Sequence, residues 1–508
     1  MMEGMKYIEI VQNPGKVAVS DIPLLDYASF MKQTEELLKK SSCHCLNYFM
    51  HRSGKQLIFY ILIANDDSHK ILVYSHSQPA DLMSLESITR YCFPMHIFER
   101  EISENTGISF SGHPWLKPLR YPHDRSDKST AISDYPFYKI ESEETHEVGV
   151  GPIHAGIIEP GHFRFLCHGE KVLHLEIQLG YQHRGVEKLF LEKKSLLQQS
   201  VLSESIAGDT AIGHGLAFAQ LAEILSDIIP DERLEIERTI ALEMERMAVH
   251  IGDTAALCGD VAYQLGQSAC EALRTIVINT TQDWCGNRVG KGLVRAGGTN
   301  YPLIRDIIDH IRERLSETNR RFLETTDLIF NNSGLLTRFE NTGVVSQNRA
   351  HLVGAVGMAA RTCGINRDIR NSHPFQAYRN MDYTPAKLEH GDVFARALIR
   401  KIEVELSFSV INSLFDKLAG LPEKRINKPD YLLEYKPCMM GVSLVEGWRG
   451  EICHVAITDI DGNIEHYKIK DPSMHNWMAL ALAVRNQEIS DFPICNKSFD
   501  LSYCGNDL

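Results

Sequence analysis

The residues that follow Pro230 constrain the fold more than any other stretch of the sequence. Asp231 can cap a helix that begins ERLEIERTIALEMERMAVHIG, because an aspartate side chain accepts hydrogen bonds from the free N–H groups of a first helical turn. The apolar residues of this stretch recur every three or four positions and so mark one helix face: Ile236, Ile240, Met244, Met247 and Ile251. A second stripe of this kind starts near Pro302 and runs from Ile304 to Ile329. The sequence therefore predicts a bundle of long helices.

The first 125 residues have a different pattern, and we predict that 1–125 form a small α/β domain. Runs rich in β-branched and aromatic residues at 56–64 and 70–75 indicate strands, and a helical pattern covers Leu82–Cys92. The polar, acidic stretch 126–148 has little periodicity and is interpreted as a linker or an extended arm.

The remaining residues, 149–508, form the second predicted unit. Strands are predicted at 162–166 and 172–179, and the runs HVAITD and IEHYKI flank Ile460–Asn463 in the pattern of a β-hairpin. The predicted fold class is α+β, with the small α/β domain followed by a domain of long bundled helices and peripheral β-structure.

Charge and cysteine content exclude several classes of protein. The 508 residues have a formal net charge of −13, which argues against nucleic-acid binding, since that needs a basic face. No stretch reaches the ~18 apolar residues that a bilayer-spanning helix needs, and the first residues lack the pattern of a secretory leader. The 12 cysteines include no Cys-x-x-Cys pair, so we expect reduced thiols, a cytoplasmic protein, and no iron–sulfur cluster bound by this chain.

Three segments of the second unit combine histidine, arginine and carboxylates with glycine and proline. They are GPIHAG at 151–156 with EPGHFR at 159–164, GYQHRGVEK at 180–188, and NRDIRNSHPFQAYR at 366–379 with HGDVFAR at 390–396. Such composition is typical of loops that direct polar groups into a pocket. Structural salt bridges and helix caps are the alternative interpretation.

These segments, with TGVV and VEGWRGE, together resemble the large subunit of membrane-bound nickel–iron hydrogenases and the 49-kDa-type subunit of NADH:quinone oxidoreductase. The N-terminal unit, with FEREISENTGISFSGHPWLKPL, resembles the 30-kDa-type subunit of the latter, and the fused order is similar to that of formate hydrogenlyase large subunits. The resemblance implies a peripheral protein on the inner face of the cell membrane. Its expected partners are a small subunit that carries an iron–sulfur cluster and membrane subunits of the ion-pumping type.

The sequence departs from these hydrogenases where the resemblance implies two Cys-x-x-Cys pairs that bind nickel. Aligned on His214 and Asp500, the four cysteine positions fall on Ala207, Thr210, Ser502 and Gly505. Cys504 is one residue out of register. Because thiolates hold a redox-active nickel–iron centre, we expect no such centre and no cofactor bound by this chain.

The quinone-reducing relatives imply a different pair of markers, a histidine and a tyrosine. The histidine position falls near Pro160 and the tyrosine position near Gly208. His154 or His162 could stand in for the histidine, and Tyr503 could line the same pocket. Quinone binding therefore stays open as an alternative.

The candidate pocket groups are titratable residues of these segments: His154, His183, Glu187, Asp209, His214, Asp500 and Asp507. The resemblance assigns the pocket wall to Asn366, Asp368, Arg370, His373 and Tyr378, with Arg370 stabilising charge above the site. If Asp209 faces Glu187 or a histidine, its pKa should be perturbed. Alternatively, Glu187 is a buried charge paired with Arg184. The turn Trp448–Glu451 is expected to be structural.

Three functions compete. In the first, the chain contributes to electron transfer to a quinone or another acceptor, and its pocket could take up and release protons as a neighbouring cluster changes redox state. In the second, the pocket is a relic in a non-catalytic scaffold. In the third, the pocket holds another metal through Glu187, Asp209 and His214.

Overall fold

The computed structural model describes residues 5–155 and 158–508, so Gly156, the last residue of the GPIHAG motif, lies outside the described residues. The strands are β1 (Ile8–Ile10), β2 (Gly15–Ala18), β3 (Leu24–Leu25), β4 (Cys43–Ser53), β5 (Gln56–Asn65), β6 (Lys70–Pro79), β7 (Ser84–Glu86), β8 (Ser109–Ser111), β9 (His146–Val150), β10 (His162–His168), β11 (Lys171–Gln178), β12 (Met439–Glu446), β13 (Glu451–Thr458) and β14 (Ile464–Lys470). The α-helices are α1 (Tyr27–Leu38), α2 (His96–Thr106), α3 (Val186–Glu192), α4 (Leu196–Ser203), α5 (Ala211–Leu225), α6 (Glu232–Asp260), α7 (Gln264–Cys285), α8 (Arg305–Phe330), α9 (Ser333–Phe339), α10 (Gln347–Val353), α11 (Gly357–Arg361), α12 (Ile369–Ser372), α13 (Val393–Ala419), α14 (Ser473–Val484), α15 (Phe492–Phe499) and α16 (Tyr503–Asp507).

The N-terminal sheet has the order β1-β6-β5-β4, with β3 beside β6. Successive residues of β5 alternate between its two faces. Ile61 lies in a core with residues of α1 and α2, whereas Leu62 belongs to the larger core that contains the long helices. The sheet is therefore buried on both sides, between its own helices and the second unit.

The predicted helix at Leu82–Cys92 is wrong. Its first part is β7, which pairs in parallel with β8, and a short 3-10 helix, Ile88–Arg90, follows. The buried Glu99 carboxylate of α2 accepts the backbone N–H of Ile88 at 2.7 Å and the Thr89 hydroxyl at 2.6 Å. These tertiary contacts override the weak helical pattern.

A second sheet joins the two units, in the order β14-β13-β12-β2. Strand β2 comes from the N-terminal residues and lies antiparallel to β12, with Val17 opposite Met440. Beside it the buried Asn13 side chain donates to the Leu444 carbonyl at 2.9 Å and accepts from the Leu444 N–H at 2.9 Å. The β13–β14 pair confirms the predicted hairpin, and β10 pairs with β11 as the sequence predicts.

The long helices are α6, α7, α8 and α13. The Asp231 side chain accepts the N–H of Leu234 at 2.9 Å and begins α6 as predicted. All five residues of the predicted α6 stripe are buried, as are Ile311, Leu315 and Phe322 of α8. Among the helices of the described residues, none is long and apolar enough to cross a membrane.

Candidate functional site

The four positions at which the resemblance implies hydrogenase cysteines lie at the starts of two helices. Ala207 and Thr210 precede α5, and Ser502 precedes α16, whose Gly505 donates its N–H to the Ser502 hydroxyl at 2.9 Å. A Cβ atom on Gly505 would lie 2.6 Å from the carboxylate of Asp471. Asp471 therefore occupies the space that a side chain at position 505 would need.

Arg449 lies at the centre of this region and binds Asp209 through two hydrogen bonds. Its Nη1 and Nη2 atoms donate to the two carboxylate oxygens of Asp209 at 2.7 Å each, and Nε donates to the Asp500 carbonyl. Nη1 also lies 3.4 Å from the Thr210 hydroxyl, and the guanidinium stacks on the Trp448 ring at 3.9 Å. Through Arg449, the turn Trp448–Glu451 is thus joined to the residues that precede α5. We call Asp209, Thr210, Arg449 and Asp500 the Arg449 site.

The charges of the Arg449 site stabilise each other. Burial alone would favour neutral groups. Opposing that effect, the Asp209 carboxylate raises the pKa of Arg449, and the guanidinium lowers the pKa of Asp209 below its usual value. The predicted partner of Asp209, Glu187 or a histidine, is wrong, because Asp209 binds Arg449.

His214 lies on the inner side of this site, in a chain of buried hydrogen bonds. Its Nε2 atom is 3.1 Å from Oδ2 of Asp471, and its Nδ1 atom is 3.1 Å from Nε2 of His454. Nδ1 of His454 is in turn 2.8 Å from the Tyr467 hydroxyl. All four side chains are buried. Burial, with His214 next to it, holds the pKa of His454 well below its usual range.

Two cavities flank this region. The first, which we call the Asp209 cavity, has a volume of about 550 Å³ and is lined by charged groups that include Asp209, Asp253, Lys497 and Asp500. Burial and the neighbouring Asp500 raise the pKa of Asp253, although Arg400 donates to Asp253 at 2.9 Å.

The second cavity, the Glu187 cavity, has a volume of about 430 Å³, and Tyr467, His183 and Glu187 are among its lining residues. Glu187 lies 3.0 Å from the Lys468 ammonium and accepts the N–H of Ile469 at 2.9 Å. The alternative that paired it with Arg184 is wrong, because Arg184 donates to backbone carbonyls.

His183 Nδ1 is 2.7 Å from the Asp507 carbonyl. The Asp507 carboxylate accepts the N–H groups of Gly180 and Gln182 at 2.9 Å each. These two predicted pocket groups therefore fix the HRGVEK loop against α16.

The three residues of the alternative metal site are engaged separately. Asp209 binds Arg449, His214 binds Asp471 and His454, and Glu187 binds Lys468. Over 5–155 and 158–508, no group of three or more His, Cys, Asp or Glu side chains has a geometry that could hold a metal ion.

The predicted position of Arg370 above the site needs correction. Arg370 is fully buried among carboxylates and binds Asp368 at 3.0 and 2.7 Å and Glu403 at 3.1 and 3.0 Å. Arg361 and Arg246 share Glu403. Arg370 and Asp368 therefore belong to a closed ion-pair network between α6, α12 and α13, and neither binds Asp209.

His373, predicted in the pocket wall, lies against the N-terminal unit instead. Its Nε2 atom is 3.2 Å from the Lys70 carbonyl, and its own carbonyl accepts from Asn13 at 2.8 Å.

His154 and Tyr503 meet across Gly161. His154 Nε2 is 2.8 Å from the Gly161 carbonyl, and a Cβ atom on Gly161 would lie 2.6 Å from the Tyr503 ring. Burial raises the pKa of Tyr503 to about 12. A Cβ atom on Gly208, the tyrosine position of the quinone-reducing relatives, would meet nothing within 4 Å.

Sequence reasoning missed Asp471, His454 and Tyr467. The predicted hairpin could have identified two of these residues, Tyr467 and His454. In its register Tyr467 lies opposite Ala456, and Ala456 shares a face with His454 because side chains alternate along a strand. Tyr467 and His454 are therefore diagonal neighbours on one face of the sheet.

Comparisons with known proteins agree with this architecture. The family model of the respiratory-chain NADH dehydrogenase 30 kDa subunit matches residues 17–139, and the model of the 49 kDa subunit matches residues 266–440. Among solved structures, a chain of an archaeal respiratory membrane complex, the membrane-bound sulfane sulfur reductase, superimposes with a TM-score of 0.67. That match has 22% identity and covers 73% of this chain and 100% of the other, so it shows a shared fold.

Curated relatives extend the likeness along the sequence. The carbon monoxide-induced hydrogenase of Rhodospirillum rubrum is 30% identical over 360 residues, which is 70% of this chain and 97% of the relative. Hydrogenase-4 component G of Escherichia coli is 26% identical, over 90% of this chain and 81% of the relative. The fused C/D 2 protein of the Aquifex aeolicus NADH-quinone oxidoreductase is 25% identical, over 82% and 78%. The chain belongs to the family of hydrogenase large subunits and NADH dehydrogenase 49 kDa-type subunits, in the fused form that carries the 30 kDa-type domain in the same polypeptide.

Proposed function

We propose that this chain is an arm subunit of a membrane-associated redox complex that works without a nickel–iron centre. In this proposal it sits on the inner face of the cell membrane through partner subunits, beside a small subunit with an iron–sulfur cluster. The Arg449 site takes up and releases protons as that cluster changes redox state. The relatives support this setting, since their names include hydrogenases and NADH-quinone oxidoreductase subunits.

The donor set does not fit a nickel–iron centre. Alanine and glycine at positions 207 and 505 supply no ligand atom, and Thr210 and Ser502 supply neutral hydroxyls in place of thiolates. A soft, redox-active bimetallic centre needs thiolate sulfur. Asp471 also fills the space beside Gly505. We therefore propose no turnover of dihydrogen by this chain.

The observation that carries the proton-linked role is the bidentate Asp209–Arg449 pair at 2.7 Å. Asp209 is only half enclosed, with 41% of its side chain exposed towards its cavity, whereas Arg449 is 5% exposed. Asp471 and Asp500 also act on Arg449, so one guanidinium serves three carboxylates. An electron that arrives nearby raises the pKa of such carboxylates and draws a proton to them.

The test uses the complex purified with its partner subunits and reduced by methyl viologen radical, whose oxidation exchanges no proton. A pH-indicator dye in weakly buffered solution reports proton uptake, and the same sample is analysed for nickel and for dihydrogen. We expect proton uptake on cluster reduction, no stoichiometric nickel and no dihydrogen. Asp209→Asn should lower the amount of proton taken up, because the amide does not titrate.

Asp227→Asn is the matched control, since Asp227 pairs with lysines at the surface, far from any cavity described above. If the Asp209→Asn complex assembles and takes up the same amount of proton as the wild type, the site has no proton-linked role and the chain is a non-catalytic scaffold. Stoichiometric nickel or dihydrogen production would refute the absence of the metal centre.

A quinone site is the second candidate, favoured by the meeting of His154 and Tyr503 across Gly161. Adding a short-chain quinone to the reduced complex distinguishes it. Rapid reoxidation of the cluster that is lost in Tyr503→Phe would support this candidate, and slow reoxidation that does not depend on Tyr503 would exclude it.

A further inference from the structure

Four buried side chains form a continuous hydrogen-bonded chain from Tyr467, which lines the Glu187 cavity, to Asp471. Tyr467 is part of the cavity lining, and its hydroxyl is 2.8 Å from Nδ1 of His454. The two imidazoles are 3.1 Å apart, and His214 reaches Asp471 at 3.1 Å. We propose that this chain, which we call the relay, carries a proton between the Glu187 cavity and the Asp471 carboxylate. The relay rests on the proton-linked function proposed above.

All three hydrogen bonds of the relay can donate in the same direction, from Tyr467 towards Asp471. Asp471 is held ionised, because His214 and Arg449 outweigh the effect of burial and lower its pKa. An ionised Asp471 can only accept, so His214 donates from Nε2 and accepts at Nδ1. His454 then donates from Nε2 and accepts at Nδ1 from the Tyr467 hydroxyl. Each neutral imidazole carries one proton, and no member of the relay lacks a partner.

The proton shift is balanced. A proton from solvent water that enters the cavity is taken up by the Tyr467 hydroxyl, which gives its own proton to Nδ1 of His454. His454 gives its Nε2 proton to Nδ1 of His214, and His214 gives its Nε2 proton to Asp471. Every hydrogen bond persists with its direction reversed, and the net result is one proton moved from the cavity to Asp471. Reoxidation of the cluster reverses the same steps, so neither ring has to rotate.

Both ends of the relay meet charged groups that suit this role. The charged and titratable side chains that line the Glu187 cavity near Tyr467 are Glu101, Glu104, Arg120, Asp124, His183, Glu187, Lys188 and His466. At the other end, the Asp471 carboxylate lies beside Gly505, where hydrogenases of this family are expected to hold a cysteine. The relay therefore ends beside a position at which the resemblance implies a metal-binding cysteine.

The stability of the core does not require a buried polar chain at this place. The relay runs through the interface between α5 and β13, where a Cβ atom on Gly213 would lie 3.0 Å from Ile452 and 3.4 Å from the buried Glu245 carboxylate. A buried polar network is usually no more stable than well-packed apolar side chains of the same volume. The uniform direction of the hydrogen bonds and the cavity at one end are features that a proton path needs.

The test measures the rate of proton uptake, by stopped-flow reduction of the purified complex with methyl viologen radical and a pH-indicator dye. Tyr467→Phe removes only the hydroxyl and keeps the ring, which stacks on Phe190 at 4.0 Å. We expect proton uptake to slow on the order of tenfold or more, while the cluster is reduced at the wild-type rate. Tyr435→Phe is the matched control, because its hydroxyl lies in the same core but contacts Gln199 at 3.4 Å, outside the relay.

A second variant, Asp471→Asn, keeps the relay testable if Tyr467→Phe fails to fold. Asp471→Asn keeps the shape of the terminal side chain and removes its ability to accept a proton, so the amount taken up should fall. A wild-type complex that takes up no proton on reduction would overturn both the proposed function and the relay. Wild-type uptake with an unchanged rate in Tyr467→Phe, or an equal slowing in Tyr435→Phe, would overturn the relay and leave the proposed function standing.

Discussion

Adding one methyl group at Gly505 tests the packing on which the site depends. The Cβ atom of Gly505→Ala would lie 2.6 Å from Oδ2 of Asp471, the atom that His214 contacts at 3.1 Å. Ordinary contact begins at 3.4 Å, so the carboxylate has to retreat by about 0.8 Å. That movement changes the geometry of the hydrogen bond between Asp471 and His214.

The expected loss of stability follows from three contributions. Overpacking costs about 1–3 kcal/mol, and weakening a hydrogen bond to a charged group costs up to about 1.5–3 kcal/mol. Replacing glycine in a helix restores about 0.4–1 kcal/mol through the unfolded chain. The net destabilisation is about 2 kcal/mol, which lowers the Tm of a chain of this length by about 2 °C.

Gly208→Ala is the matched control, since its Cβ atom meets nothing within 4 Å. Thermal unfolding followed by circular dichroism should give an unchanged or slightly higher Tm for this variant. A double-mutant cycle with Asp471→Ala should remove the penalty of Gly505→Ala, with an interaction energy of about 2 kcal/mol. Equal Tm values for Gly505→Ala and Gly208→Ala would refute the contact between Gly505 and Asp471.

Two further predictions concern buried charge away from the site. Glu403→Gln leaves the guanidinium groups of Arg361 and Arg370 without their shared carboxylate, so we expect a loss of about 3–5 kcal/mol in denaturant unfolding. Glu405→Gln on the same helix, whose partner is the partly exposed Lys401, should change stability by less than about 0.5 kcal/mol, and equal effects would contradict the network. Burial lowers the pKa of His76 to about 3, so the folded protein keeps this imidazole neutral. In the unfolded chain the pKa of the histidine is about 6.5, so below that pH the unfolded chain binds a proton that the folded protein does not, and the fold loses stability. Between pH 7 and 5 the wild type should lose about 2 kcal/mol more than His76→Phe, and parallel pH profiles of the two proteins would rule out this assignment.

The sequence predicts those parts of the fold that depend on neighbouring residues. The α6 helix follows from Asp231 and a stripe of apolar residues within one stretch of chain, and both are as predicted. The β13–β14 hairpin follows from two alternating runs around a short turn. The helix expected at Leu82–Cys92 fails because Glu99, a residue of another element, binds the backbone at Ile88.

The site was less accessible to sequence reasoning because its contacts join distant residues. Asp209 and Arg449 are 240 positions apart, and no local pattern pairs an aspartate with one arginine among many. The resemblance assigned Arg370 to the pocket wall, yet its guanidinium binds Asp368 and Glu403 within a buried ion-pair network. The composition of a loop indicates that polar groups are buried, whereas only the packing of α5 on the β13 strand decides which of them face a cavity.

The pairing of β2 with β12 has a consequence for how the polypeptide is made. Val17 leaves the ribosome long before its partner Met440, so the N-terminal unit must wait with one strand unpaired until nearly the whole chain has been synthesised. A polypeptide cut within 126–148 would separate this strand from its sheet and expose the edge of β12, and an open edge of this kind invites aggregation. The two halves should therefore assemble only when they are produced together, with the short N-terminal strand of one completing the sheet of the other.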